Sequence, residues 1–140
     1  MSDSHSDSAI GASARIGTDL RVEIAAGPHA ILADEPGSLG GSDAGPDPFG
    51  LLYASLAACV LMTIRMYATR KQWPMDGAEI RIIPTRTPPG PLESARIELI
   101  VHGPSLTAEQ RDRIVAIAGK CPVHRTLEQP VHIETVEVQS

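Results

Sequence analysis

PFGLLYASLAACVLMTIRMYATRKQW, residues 48–73, is the stretch on which the fold turns. Pro48 stands at a first helical position, where its missing amide hydrogen costs nothing, and Asp47 before it offers a side-chain oxygen to the free N–H groups of a first turn. Arg65, Arg70 and Lys71 lie toward the end that the helix dipole makes negative, and Pro74 stops the run. The spacing predicts one helix over 48–73, about 35–40 Å long. Its first half, LLYASLAACVLM, is apolar nearly all round and asks for cover on every side. A chain of 140 residues has little material for that cover, so a second copy packed against the first is expected. The apolar run from Leu51 to Met62 is too short for a bilayer and is followed by Arg65 and Arg70, so no membrane partner is expected.

Upstream, Leu20–Ala26 (LRVEIAA) alternates apolar and polar residues, and Ala30–Ala33 repeats the tendency after Gly27-Pro28. Together they predict an N-terminal β-hairpin. A Gly-rich connection, EPGSLGGSDAGPDP from Glu35 to Pro48, has no apolar period. It lacks the Lys and spacing of a phosphate-binding loop, so its glycines are read as turn formers. Downstream, Ala78–Thr85 and Arg96–His102 alternate as strands on either side of TPPGPLES. Thr107 with Gln110 three residues later is a capping box for a second helix over Thr107–Ala118. Cys121-Pro122 opens a short turn or helix ending near Glu128, and Val131–Val138 (VHIETVEV) reads as a closing strand. Hairpins mixed with helices, without a βαβ repeat, make an α+β domain on antiparallel sheet. The polar opening MSDSHSDSAIGA, residues 1–12, is expected as a disordered tail before a single domain over 13–140.

Twelve basic against 17 acidic residues leave a charge of −5, and aromatic residues are 3% of the chain. Without a basic face or bases' stacking partners, a nucleic-acid ligand is not expected. The N-terminus carries acids rather than the basic start of a signal peptide, so a cytoplasmic, reducing setting is expected. There a pair of cysteines is catalytic, metal-binding or merely buried rather than a permanent disulfide.

The two are Cys59 and Cys121. Ser55, Cys59 and Thr63 fall at i, i+4 and i+8, one mildly polar stripe on an aliphatic helix. A small hydrophobe is the bland reading of Cys59, and apolar burial would push its pKa up. Cys121 begins a short helix, beside Lys120, His124 and Arg125. Sequence electrostatics therefore make Cys121 the better thiolate. Cys121-x-x-His124 has the spacing of half a zinc site, which Cys59, His102 or His132 would have to complete. No second close pair exists, so no metal is expected. Ser55 has no G-x-S-x-G elbow around it.

Taken together, GGSDAGPDPFGLLYASLAACVLMTIRMYATRKQWP, LTAEQRDRIVAIAGKCPVHRTLE, ADEP at Ala33–Pro36 and the closing strand resemble the OsmC/Ohr family of thiol-dependent peroxidases. The specific marks are a cysteine in an A-A-C helix and a second in C-P-V-H-R-T-L, in that order. The resemblance implies an OsmC-like α+β fold with antiparallel sheets, a long central helix and an intertwined homodimer. It also implies that Cys59 attacks the O–O bond of an organic hydroperoxide, that Cys121 resolves the sulfenic acid as a disulfide, and that a dithiol such as a lipoyl protein reduces it. No metal, haem or flavin is implied. In family peroxidases an N-terminal arginine ionises the attacking cysteine, which makes Arg21, with Arg15 beside it, the candidate here, oriented by Asp34 or Glu35. The family's glutamate after the helix-opening proline is replaced by Phe49 and Gly50. That departure motivates an alternative, a non-enzymatic OsmC-fold protein holding a small apolar ligand at the dimer interface.

Overall fold

The computed structural model describes residues 10–139; of the expected tail, residues 1–9 lie outside the described residues. The chain divides into two compact units, one up to Leu52 and one from Tyr53.

In the first unit, β1 (Ser13–Ile16), β2 (Val22–Ala26) and β3 (His29–Ala33) form an antiparallel sheet in the order β1-β2-β3. The expected hairpin is β2–β3, in register from Val22↔Ala33 to Ala26↔His29. Gly27 takes φ 59° at the first central position of its two-residue turn, a conformation glycine adopts without strain. The third strand, β1, is a correction to the two-strand reading. All four of its residues are exposed, so it carries no buried alternation to read. Its Arg15 reaches Glu23 on β2 at 2.8 Å.

The loop that follows is organised by Asp34, 3% exposed. Its carboxylate accepts from the amides of Glu35, Ser42 and Ala44 at 2.8, 3.0 and 3.1 Å, while its own amide donates to the Pro46 carbonyl. The Ala44 amide first, with those of Glu35 and Ser42, holds the Asp34 carboxyl below the usual range against the opposing effect of burial. The chain passes Glu35 and Leu32 so closely that Gly41 and Gly45 have no room for a Cβ.

The long helix α1 spans Pro48–Lys71, and the Asp47 carboxylate accepts from the Gly50 amide at 2.8 Å, the cap that the sequence predicts. It ends two residues before the predicted end because Gln72 turns left-handed at φ 58°. The Gln72 amide then bonds the Thr69 carbonyl and the Trp73 amide the Ala68 carbonyl, the paired closure of a Schellman motif. Trp73 meets Tyr67 edge-on, ring centres 5.4 Å apart, as the accompanying apolar contact.

In the second unit, β4 (Gly77–Arg86) and β5 (Leu92–His102) pair antiparallel from Gly77↔His102 to Arg86↔Leu92. One face carries Ile80, Ile82, Ile97 and Leu99 onto the core. Helix α2 (Ala108–Ala118) starts at Thr107, which accepts from the Gln110 amide while the Gln110 side chain accepts from the Thr107 amide. Thr107→Ala removes half of this box and is expected to cost about 1 kcal/mol, a fall in Tm of roughly 3–5 °C, read by thermal denaturation. The core joins Leu56, Val60, Ile64, Tyr67 and Ala68 of α1 to Ile114, Ile117 and Ala118 of α2, with Met75, Leu106 and Cys121. Helix α3 (Pro122–Leu127) follows.

Two features of this unit leave apolar surface open. On α1, Ala58, Met62 and Met66 are exposed, the methionines by 63% and 65%. By length and composition alone α1 is apolar enough to cross a membrane, with a mean hydropathy of 1.7. The predicted strand Val131–Val138 is not one: the segment is irregular, with Val131, Ile133, Val136 and Val138 59–79% exposed. Alternation alone makes no strand, because the backbone needs an edge to bond, and among the described residues it pairs with none.

Candidate functional site

Cys59 sits mid-way along α1, half-buried, one turn before Thr63. Cys121 is the N-cap of α3, fully buried, with Pro122 at the first helical position. Its sulfur accepts from the His124 amide at 3.2 Å. The fold brings the two sulfurs together: the Cys121 thiol hydrogen-bonds Cys59, and both remain free. The first turn of α3 also serves Cys59, through the Val123 amide.

This placement reverses the electrostatic ranking read from the sequence. Burial alone would push the Cys59 thiol up, but the Val123 amide, the Cys121 thiol and the Thr63 hydroxyl outweigh it and leave Cys59 below its ordinary value. Burial pushes Cys121 up, and the neighbouring Cys59 adds to the shift against the opposing His124 amide. The two opposite directions favour Cys59 over Cys121 as the thiolate. The Val123 amide at the start of α3 acts on both sulfurs and the His124 amide on Cys121, an arrangement that sequence position alone does not reveal.

A depressed pKa places the thiolate of Cys59 at lower pH than an ordinary cysteine, so alkylation of Cys59 by iodoacetamide should reach its plateau early as pH rises. Thr63→Val removes one donor, and the midpoint of the alkylation profile is expected to move up. An unmoved midpoint would remove Thr63 from the set.

Ser55, Cys59 and Thr63 keep their predicted order on one helix. Beyond the sulfurs, His124 Nε2 lies 3.1 Å from Glu128 Oε1, and its Nδ1 is buried without a partner. Among the described residues, no three His, Cys, Asp or Glu side chains are grouped to hold a metal ion. His102 instead pairs with Glu79 across β4 and β5. A groove of about 390 Å³ has a mixed lining, Leu56, Leu92, Ile97 and Leu127 among apolar residues and Glu93, Ser94, His124 and Glu128 among polar ones. Leu56 lies three residues before Cys59 on α1, and His124 three after Cys121.

In the first unit, Arg21 is exposed and held by Asp19 at 2.8 Å, and Arg15 by Glu23. The orienting role expected of Asp34 is corrected: its oxygens are taken by loop amides, and Asp19 is the acid that fixes Arg21. Sequence reasoning missed the Val123 amide. The proline at the start of α3 was the available signal, since it marks where free amides begin.

A family model described as OsmC-like protein matches residues 40–136. Among solved structures, an OsmC-like protein from Mycoplasma pneumoniae is similar at 22% identity, covering 84% of this chain and 85% of its own, with a TM-score of 0.72. An organic hydroperoxide resistance protein from Legionella pneumophila is similar at 24% identity over 83% and 86%, TM-score 0.60. An OsmC-like hydroperoxide resistance protein from Jannaschia sp. is similar at 24% identity over 91% and 90%, TM-score 0.54. No curated protein sequence matches. At these identities the structures establish a shared fold.

Proposed function

Since this chain belongs to the OsmC-like protein family, we propose that it is a thiol-dependent peroxidase that reduces organic hydroperoxides. The observation that carries the reading is the hydrogen-bonded pair of a Cys59 favoured as thiolate and a Cys121 favoured as thiol. The Cys59 thiolate attacks the distal oxygen of ROOH; the O–O bond breaks, the alkoxide takes a proton and leaves as ROH, and Cys59 becomes a sulfenic acid. Cys121 then displaces hydroxide from that sulfur, forming the Cys59–Cys121 disulfide and water. A dithiol, a small one or a lipoyl protein, returns both thiols by exchange. No cofactor enters the cycle. Arg21 is proposed as the cation that assists Cys59, and the setting as cytoplasmic.

The protein is proposed to work as an intertwined homodimer. Supporting this are the uncovered methionine face of α1 and the exposed, unpaired apolar side chains of Val131–Val138, each of which a second copy would cover. The expected mass in sedimentation is twice the 14.8 kDa of the chain.

The proposal is tested by adding one equivalent of an organic hydroperoxide to the fully reduced protein. Both free thiols should disappear together and the mass should fall by two hydrogens, with no intermolecular crosslink. Two thiols that survive the treatment would sink it. The leucines and isoleucine of the groove favour the second reading, a binder of a small apolar ligand, and surviving thiols together with saturable binding of an alkane alcohol would support that one.

A further inference from the structure

Around Tyr67 the second unit gathers positive charge that no acid answers. Arg70 and Lys71, three and four residues on along α1, bring their charges to 5.3 and 5.8 Å from the Tyr67 ring centre. From α2, the Arg113 Nε–H donates to Tyr67 Oη at 3.1 Å, with its guanidinium carbon 5.7 Å from the ring centre. Arg15, Arg21, Arg81 and Arg96, by contrast, reach carboxylates, and Arg65, Arg86 and Arg111 bond carbonyls. Among the described residues no carboxylate lies within ion-pair distance of Arg70, Lys71 or Arg113. All three are exposed.

Like charges on one ring repel, and a chain of net charge −5 has acids to spare for separating them. Arg113 is tethered through Nε, which leaves its two terminal amino groups unengaged, the edge that takes two oxygens of an oxyanion side by side. The tether fixes the fork before a ligand arrives, so less freedom is lost on binding. Three cations favour a doubly charged group over a single carboxylate.

We propose that Arg113, Arg70 and Lys71, arranged around Tyr67, form a binding site for a phosphate dianion, either free phosphate or the terminal group of a small phosphorylated molecule. The site is separate from the two cysteines and does not depend on their chemistry. The Arg113 hydrogen bond, then the charges of Arg113, Lys71 and Arg70, hold the Tyr67 phenol below its ordinary pKa, and a bound anion would raise it again.

The sole tryptophan, Trp73, lies 5.4 Å from the Tyr67 ring and serves as the reporter. Inorganic phosphate is titrated into the purified full-length protein at constant ionic strength, set with chloride, and Trp73 fluorescence is followed. A saturable change is expected, weakened at least about tenfold in Arg113→Gln. Tyr67→Phe keeps the ring but unties Arg113, and is expected to weaken binding several-fold. Thermal melts confirm that each variant is folded. Phenyl phosphate distinguishes the sources: tighter binding than phosphate points to a phosphorylated molecule, equal binding to the free ion, and both support the site. Arg113→Gln that binds like the wild type, a response reproduced by chloride, or saturation by an oligo-aspartate peptide with none by phosphate would each overturn it.

Discussion

Cys59→Ser should bring hydroperoxide consumption down to the uncatalysed background, whereas Cys121→Ser should keep one rapid turnover per site and then stall. The two variants differ because the two sulfurs do different work. Serine at 59 is a far weaker nucleophile at neutral pH and cannot be oxidised to a sulfenic acid, so nothing else in the site replaces it. Serine at 121 leaves Cys59 with the Val123 amide and the Thr63 hydroxyl, two of its three stabilising donors. The attack therefore proceeds once, and the sulfenic acid accumulates for lack of a resolving thiol. Stopped-flow consumption of an organic hydroperoxide, with and without dithiol, separates a burst from steady turnover, and dimedone trapping counts the sulfenic acid. A burst in Cys59→Ser and none in Cys121→Ser would exchange the roles of the two residues.

The second large effect concerns stability in the first unit. A Cβ at Gly41 would collide with the carbonyl of Glu35 and lie 2.8 Å from Asp34 Oδ1, the oxygen that accepts from the Glu35 amide. Backbone cannot give way as the end of a flexible side chain can, so the Asp34 cradle must open to admit the methyl group. Gly41→Ala is expected to cost about 3 kcal/mol, lowering Tm by roughly 9–15 °C. Gly77→Ala is the control, because nothing lies within 4 Å of a Cβ there. Thermal denaturation of the pair checks the difference, and limited proteolysis between residues 35 and 46 should accelerate in Gly41→Ala alone. Equal melting temperatures would mean that the loop tolerates opening.

Where a local interaction decides the structure, the residues announce it. Asp47 before Pro48, and Thr107 three residues before Gln110, mark the starts of α1 and α2 through bonds made within one turn. The end of α1 was less legible, because Gln72 takes a left-handed conformation usually given to glycine. The strand β1 was hidden because SARI buries nothing in this chain and exists by pairing with β2. Val131–Val138 shows the opposite failure: its alternation is plain, but a strand needs a neighbour as well as a pattern. The cysteines were legible as a pair through their family motifs, while their electrostatics were not. Proximity in sequence put Lys120, His124 and Arg125 beside Cys121, whereas the fold buries that sulfur and turns the Val123 amide onto Cys59.

The sulfur of Cys121 is also what caps α3, by accepting from the His124 amide. A helix of six residues has little stability of its own and depends on such end contacts. Forming the proposed disulfide ties that sulfur to Cys59 and is expected to weaken its bond from the His124 amide. Oxidation is then expected to loosen the Pro122–Leu127 turn, and restoring the dithiol to rewind it. Amide exchange at His124 and Arg125 would then report the redox state of the protein, and the loosened turn gives an incoming reductant room to reach the bond it must break.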